Sequence, residues 1–216
     1  MNIDGVIFDL DGTLIDSTTA WKTLPSDYLR SRGLTPLTDV DEELKDLSMK
    51  QAAEIIRDKY EPQRTADEIT ADIIDMMSGF YRDRVQLKPG AERLLQMLKE
   101  RGIPMCVATA SDITMAENAM RRNGIIEYFD GVFTTAQAGC GKDRPDVYDM
   151  ARAHMGTRAG RTAVFEDALY AIKTAKAAGY TVIAVYDPYE SASKQQVALA
   201  ADIYLDSLED AEVVFK

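Results

Sequence analysis

The sequence predicts an α/β protein: a parallel sheet with helices on both faces, interrupted after its first strand by an all-helical insert. Three observations carry this. Short apolar runs alternate with helix-patterned segments from residue 87 onward, the stretch 17–86 is patterned as helix throughout, and four of the five main apolar runs carry their polar residues at their C-terminal ends. Strand alternating with helix is the signature of a parallel sheet covered on both faces.

The first strand is "GVIFDL" (5–10), a continuous apolar run that closes on the aspartates of "IFDLDGTL". Beyond Asp16 come "TTAWKTLPSDYLRSRG", "DEELKDLSMKQAAEIIRDKYE" and "TADEITADIIDMMSGFYRDRV", too much chain for one crossover and patterned as about four helices. Pro89-Gly90 marks the return, opening a helix over 90–101 that stops at Gly102. The second strand, "PMCVATAS" (104–111), leads into a helix over 113–123 closed by Gly124. "DGVFTT" (130–135) is the third strand, followed by a helix over 145–155. "TAVFED" (162–167) is the fourth, followed by a helix over 168–178 closed by Gly179. "TVIAVYD" (181–187) is the fifth, and "ADIYLD" (201–206) is a candidate sixth. The expected domains are a core formed by 1–16 and 87–216 and a helical cap formed by 17–86, placed by its entry point to act as a lid over the first strand's aspartates.

The 216 residues, 46% of them apolar, can bury one sizeable core. No apolar run approaches the roughly 18 residues of a membrane span. A formal charge of −11 argues against nucleic acid and against an anionic membrane as partners, since both need a basic footprint. Two cysteines without metal-type spacing, ten methionines and the lack of a secretion signal in "MNIDGVIFDL" lead us to expect a cytoplasmic protein. A monomer or weak homodimer is expected.

Ligands of parallel α/β sheets bind outside the carboxyl ends of the strands, where the polar clusters of this chain fall. Asp9 and Asp11 lie two apart, so in extended chain both side chains project the same way, and Gly12 allows a sharp turn beneath an incoming group. Thr109 and Ser111 end the second strand just ahead of a helix, a seat for an anion on free N–H groups. Lys142 follows "AGCG", and Glu166-Asp167 end the fourth strand. Four carboxylates converging would repel by several kcal/mol at an effective dielectric of ~20. A hard divalent ion removes the conflict, and Mg²⁺ suits an oxygen site that keeps positions for water and a phosphoryl group.

"DLDGTLID", Thr109, Lys142 and "FED", in this order, resemble the haloacid dehalogenase-like (HAD) superfamily, and the insert resembles its C1-capped branch of β-phosphoglucomutase-like and phosphoglycolate phosphatase-like enzymes. The resemblance covers nearly the whole chain and implies a Rossmann-like core with an inserted C1 cap. It implies Asp9 as nucleophile forming an aspartyl-phosphate, and Asp11 as general acid and then base. It implies Thr109, with Ala110, and Lys142 as holders of phosphoryl oxygens. Glu166 and Asp167 would hold Mg²⁺ with the Asp9 carboxylate and the Asp11 backbone carbonyl. The chain departs from the family pattern at Asp143, which replaces a proline in "KDRPD", and at Ala168 and Ala171, which replace Ser and Gly.

Asp11 favours phosphate esters over the dehalogenase and phosphonate branches, which lack that acid. Met49 and Trp21 stand about where the mutases of the family carry a cap arginine and histidine. The expected function is therefore a Mg²⁺-dependent phosphatase of a small phosphorylated metabolite, with a phosphosugar mutase as the alternative. A phospho-accepting switch is disfavoured because the third strand ends in "FTT", without an acceptor acid. Segments 17–25 and 45–50, with Lys45 and Lys50, are expected to set specificity. Cys106, Cys140, Met76 and Met77 read as packing, His154 as a helix-end cation, and "DVDEE" and "SLEDAE" as solvated faces.

Overall fold

The computed structural model describes residues 2–45, 47–188, 190 and 194–215. Asp46, within the 45–50 segment, lies outside them. The chain falls into two compact units, Met1–Ser17 with Val85–Lys216, and Thr18–Arg84.

The first unit is a six-stranded, all-parallel sheet. Its strands are β1 (Gly5–Phe8), β2 (Met105–Thr109), β3 (Gly131–Thr134), β4 (Thr162–Glu166), β5 (Thr181–Val185) and β6 (Ile203–Leu205), in the order β3-β2-β1-β4-β5-β6. The register Ile7↔Cys106 and Ile7↔Val164 puts β1 in the middle, between β2 and β4. Alternation along the strands supplies two apolar faces. Ile7, Cys106, Val164 and Val182 pack with Val147, Ala151, Ile172 and Val197 of the helices numbered α8 (Asp146–Met155), α9 (Leu169–Ala177) and α10 (Lys194–Ala200). On the opposite face Phe8 stacks on Phe165 at 4.7 Å and meets Phe129 edge-on, and Phe165 stacks on Phe215. Helices α5 (Ala91–Glu100) and α6 (Ile113–Arg122) and the short α7 (Thr135–Ala138) complete the unit. Gly90, at φ 85°, opens α5 so tightly against the backbone at Glu209 that an added Cβ would lie 2.3 Å from its nitrogen.

Each predicted strand is observed, with its C-terminal polar residue or two outside the ladder. Those residues turn away from the sheet to form the loops at its carboxyl edge. Two segments differ from expectation. Thr134, the last residue of β3, also caps α7 in a reciprocal capping box with Gln137, so the third strand ends before Thr135. The acidic run from Ser207 is not wholly solvated, because Leu208, Ala211 and Val214 are buried along a 3₁₀ segment, Leu208–Phe215.

The second unit, Thr18–Arg84, contains α1 (Thr18–Ser31), α2 (Val40–Leu44), α3 (Met49–Tyr60) and α4 (Ala66–Asp83) among the described residues. Capping boxes at Ser48/Gln51 and Thr65/Glu68 start α3 and α4. The Ser26 N–H, just after Pro25, donates to the Asp41 carboxylate at 2.8 Å. Glu61 is buried and accepts from the Tyr28 hydroxyl at 2.6 Å and from Arg32 at 3.2 Å, tying α1 to the end of α3. Met77 is core, and the Trp21 indole donates to the Tyr81 hydroxyl at 2.9 Å. No helix among the described residues is long and apolar enough to cross a membrane.

Candidate active site

β1 and β4 are neighbours, so the residues that follow them emerge side by side at the carboxyl edge of the sheet. Asp9, Glu166 and Asp167 are all buried there, and each offers a carboxylate oxygen within 4.8 Å of the others. Lys142, itself 4% exposed, reaches the group from the loop before α8 and donates to both Asp9 and Glu166. Its ammonium also lies 5.8 Å from the centre of the Tyr148 ring. The other lone pairs of Glu166 are occupied in turn. The Tyr148 hydroxyl donates to Oε1 at 2.9 Å, and the N–H groups of Asp167 and Ala168 donate to Oε2 at 3.1 and 3.2 Å. The Thr13 hydroxyl donates to Asp167 at 3.1 Å.

Burial and crowding set the protonation of the group. Burial pushes the Asp9 carboxyl up to about 7 against the pull of Lys142, with Glu166 and Asp11 adding to the rise. Asp167 is likewise raised well above the carboxylate range, by burial and then by Asp9, Glu166 and Asp187. Although burial opposes it, Asp9 and Glu166 hold the Lys142 ammonium well above the usual lysine value. Three acidic groups thus share a single lysine, and all their donors are hard oxygens, which fits a small divalent cation. Protons occupy part of that role when no ion is bound.

Asp11 is placed differently. Its carboxylate stands outside the three-acid group and is held by hydroxyls, Ser17 on Oδ1 and Ser111 on Oδ2, both at 2.6 Å. Thr109 lies 3.4 Å from the same Oδ2. Gly12, with φ 78°, makes the turn directly after Asp11. The edge therefore presents two adjacent carboxyl environments: a buried one beside lysine, and a half-buried one lined by hydroxyls that can donate to a carboxylate or accept from its acid form.

The helix seat expected beyond Thr109 is already filled. Asp112 caps α6 and accepts from the N–H groups of Thr114 and Met115, while the Ser111 N–H donates to Thr109 Oγ1 at 3.0 Å. A carboxylate at the N-cap competes with any outside anion for those donors. Ala110 is exposed between them. Asp9, Asp11, Thr109, Lys142, Glu166 and Asp167 are thus all brought to one edge, with Lys142 directed at carboxylates. Outside the site, Cys106 is core, Cys140 is half-buried in its loop, and His154 lies 3.0 Å from the Asp130 carbonyl at the end of α8. Sequence reasoning missed Ser17 and Tyr148 as members of the site. Ser17 follows directly on "DLDGTLID", whereas nothing sets Tyr148 apart from core aromatics.

A family model described as haloacid dehalogenase-like hydrolase matches residues 3–179. The chain belongs to that family. It is 32% identical to hexitol phosphatase A of Escherichia coli, over 99% of this chain and 95% of that protein. It is 26% identical to the fructose-1-phosphate phosphatase YqaB of the same organism, over 84% and 95%. Solved structures share the fold. A haloacid dehalogenase-like hydrolase from Streptococcus pneumoniae superposes with a TM-score of 0.75 at 20% identity, covering 100% of this chain and 99% of that one. A β-phosphoglucomutase from Clostridium difficile does so with a TM-score of 0.68, also at 20% identity, covering 99% and 100%. The HAD-like chain is an enzyme of the phosphatase type, acting on phosphoric monoesters.

Proposed function

We propose that this hydrolase is a Mg²⁺-dependent phosphatase of a small phosphorylated polyol or sugar, working through an aspartyl-phosphate on Asp9. The observation that carries the reading is the pairing of a lysine-linked, buried Asp9 with a separate, hydroxyl-lined Asp11 at the same sheet edge. Phosphoryl transfer asks for an aligned nucleophile, a proton donor for the leaving oxygen and positive charge near the equatorial oxygens.

An Asp9 carboxylate oxygen bonds to phosphorus as the bond to the ester oxygen breaks, and Asp11 delivers its proton to that leaving oxygen. Asp11, now a carboxylate, takes a proton from water as the water oxygen attacks phosphorus. The bond to Asp9 breaks, inorganic phosphate leaves, and both acids return to their starting states. Ser17 and Ser111 keep Asp11 aimed through both halves, since each hydroxyl can reverse its hydrogen bond as the proton comes and goes. Lys142 holds Asp9 and Glu166 in place. Asp9, Glu166 and Asp167 would hold Mg²⁺ together with the Asp11 carbonyl, and the ion would supply positive charge to the phosphoryl oxygens. The reaction is assigned to the core expected over 1–16 and 87–216 together with Ser17, which carry every group named here. The polyol or sugar class rests on the named activities of the two E. coli relatives.

The test is release of phosphate from p-nitrophenyl phosphate and from hexitol and hexose phosphates, with Mg²⁺ or with EDTA. Mg²⁺-dependent release that disappears in Asp9→Asn is expected, and equal turnover in EDTA contradicts the reading. A phosphosugar mutase would instead interconvert hexose phosphates when given a bisphosphate primer.

A further inference from the structure

Beneath the catalytic loop lies a buried ion pair that the proposed chemistry does not use. Lys88 and Asp187 have side chains 11% and 0% exposed and meet at 2.8 Å. The ammonium makes two further bonds, to the Tyr186 carbonyl at 2.8 Å and to the Gly12 carbonyl. All three of its donors are therefore used, on three acceptors from two strand ends.

The positions of those acceptors give the pair its meaning. Gly12 belongs to the loop after β1, between Asp11 and Thr13, whereas Tyr186 and Asp187 follow β5. β4 lies between β1 and β5, so Lys88 spans the strand whose end carries Glu166 and Asp167. Its backbone is stitched to the same loop, since its N–H donates to the Leu14 carbonyl at 2.9 Å and Leu87 bridges Ile15. The Gly12 N–H closes the loop on the Ile15 carbonyl at 3.0 Å. A buried ion pair contributes little net stability compared with an apolar pair of similar volume, so stability alone does not account for it. A rigid three-way tie between the loop of Asp11 and the end of β5 does.

We infer that Lys88, with Asp187 as its counter-ion, is a positioning residue that fixes the 10–15 loop and so the aim of Asp11 relative to Asp9 and Asp167. This deepens the phosphatase reading and rests on it for the effect on turnover. Without the tie the loop keeps its fold but loses its setting, and a displacement of about 1 Å at a reacting group can cost about a hundredfold in rate.

Lys88→Met alone takes the ammonium away from the buried Asp187 carboxylate, so the deciding variant is the double one, Lys88→Met with Asp187→Asn. Three quantities are measured on the full chain: melting temperature, kcat and KM for p-nitrophenyl phosphate, and amide exchange of residues 10–15 by mass spectrometry. The double variant is expected to melt near wild type, lose at least about tenfold in kcat with little change in KM, and exchange faster in that loop. Return of both melting temperature and kcat to wild type, or unchanged exchange at 10–15, overturns the inference. If the double variant does not fold, Lys88→Arg decides. It keeps the charge, but its planar fork does not match three acceptors placed for an ammonium, so loss of kcat is expected and full kcat overturns the inference. A wild-type protein inactive on every phosphate ester refutes the phosphatase reading instead, and loop exchange alone then decides the positioning role.

Discussion

Asp167→Asn should make the metal-free protein more stable while ending its response to Mg²⁺. Asp167 shares a buried space with Asp9 and Glu166, with carboxylate oxygens no more than 4.8 Å apart. At an effective dielectric of about 20, two unit charges at that distance repel by about 3.5 kcal/mol. Lys142 touches Asp9 and Glu166 rather than Asp167, so the third acid bears the repulsion with least relief. Proton uptake by the raised Asp9 and Asp167 carboxyls limits the cost, so the gain should grow as the pH is raised. Asparagine keeps an oxygen for the Thr13 hydroxyl, now 3.1 Å from the carboxylate, so the change removes charge and little else. A net gain of about 1–3 kcal/mol is expected, or about 2–12 °C in Tm for a chain of this size. Wild type should gain from 10 mM Mg²⁺ by RT ln(1 + [Mg²⁺]/Kd), about 1.4–2.7 kcal/mol if Kd lies between about 0.1 and 1 mM. The assay is thermal unfolding of both proteins in EDTA and in Mg²⁺ at matched ionic strength. A variant less stable than wild type in EDTA, or one that Mg²⁺ still stabilises equally, refutes the reasoning.

Other substitutions probe the same group from other sides. Lys142→Met removes the cation that, among the described residues, is bonded to the cluster, and should cost about 3–5 kcal/mol in urea unfolding, a loss that Mg²⁺ partly restores. Ser17→Ala and Ser111→Ala each remove a 2.6 Å hydrogen bond to Asp11 and should lower kcat/KM by about 10- to 100-fold, read with p-nitrophenyl phosphate, with Tm nearly unchanged. Asp9 titrates near 7 in the folded metal-free chain against 3.8 for an ordinary aspartate. The folded state therefore holds a proton that the unfolded chain releases. The Asp9 contribution to metal-free stability should be highest at the acid end of this window and be lost from about pH 4 to about pH 7. Mg²⁺ must displace that proton, so its affinity should rise over the same interval. Calorimetry in two buffers of different ionisation enthalpy counts the proton released.

Most of the fold was legible because a parallel strand buried on both faces is a continuous apolar run, and because glycines such as Gly124 and Gly179 stop the following helices. The strand limits were less so. Thr135 suits a strand by composition, yet the capping box between Thr134 and Gln137 makes it the first residue of α7. The run at 207–212 looks uniformly acidic, and only packing shows that Leu208 and Ala211 point inward. At the site, the positions of Asp9, Asp11, Glu166 and Asp167 followed from polar residues ending buried strands. What could not be read was the partition among them: three acids around Lys142, and Asp11 given over to Ser17 and Ser111. That division depends on which way each side chain points beyond the strand ends, which spacing does not encode. At α6 the free N–H groups expected beyond Thr109 are shared with Asp112, whose capping carboxylate the residue spacing alone did not bring out.

The central place of β1 has a consequence for how the enzyme comes into being. Both neighbours of this N-terminal strand come from chain made much later, β2 beginning at Met105 and β4 at Thr162. The bond between Thr13 and Asp167 joins residues 154 positions apart. On the ribosome, this buried strand and its two aspartates gain β2 only once Thr109 has been made and β4 only once Glu166 has been made, and such long-range parallel pairing is slow. A prematurely terminated product therefore lacks the acid cluster altogether and leaves a sticky strand exposed. Catalytic competence and escape from aggregation arrive in the same late step of folding.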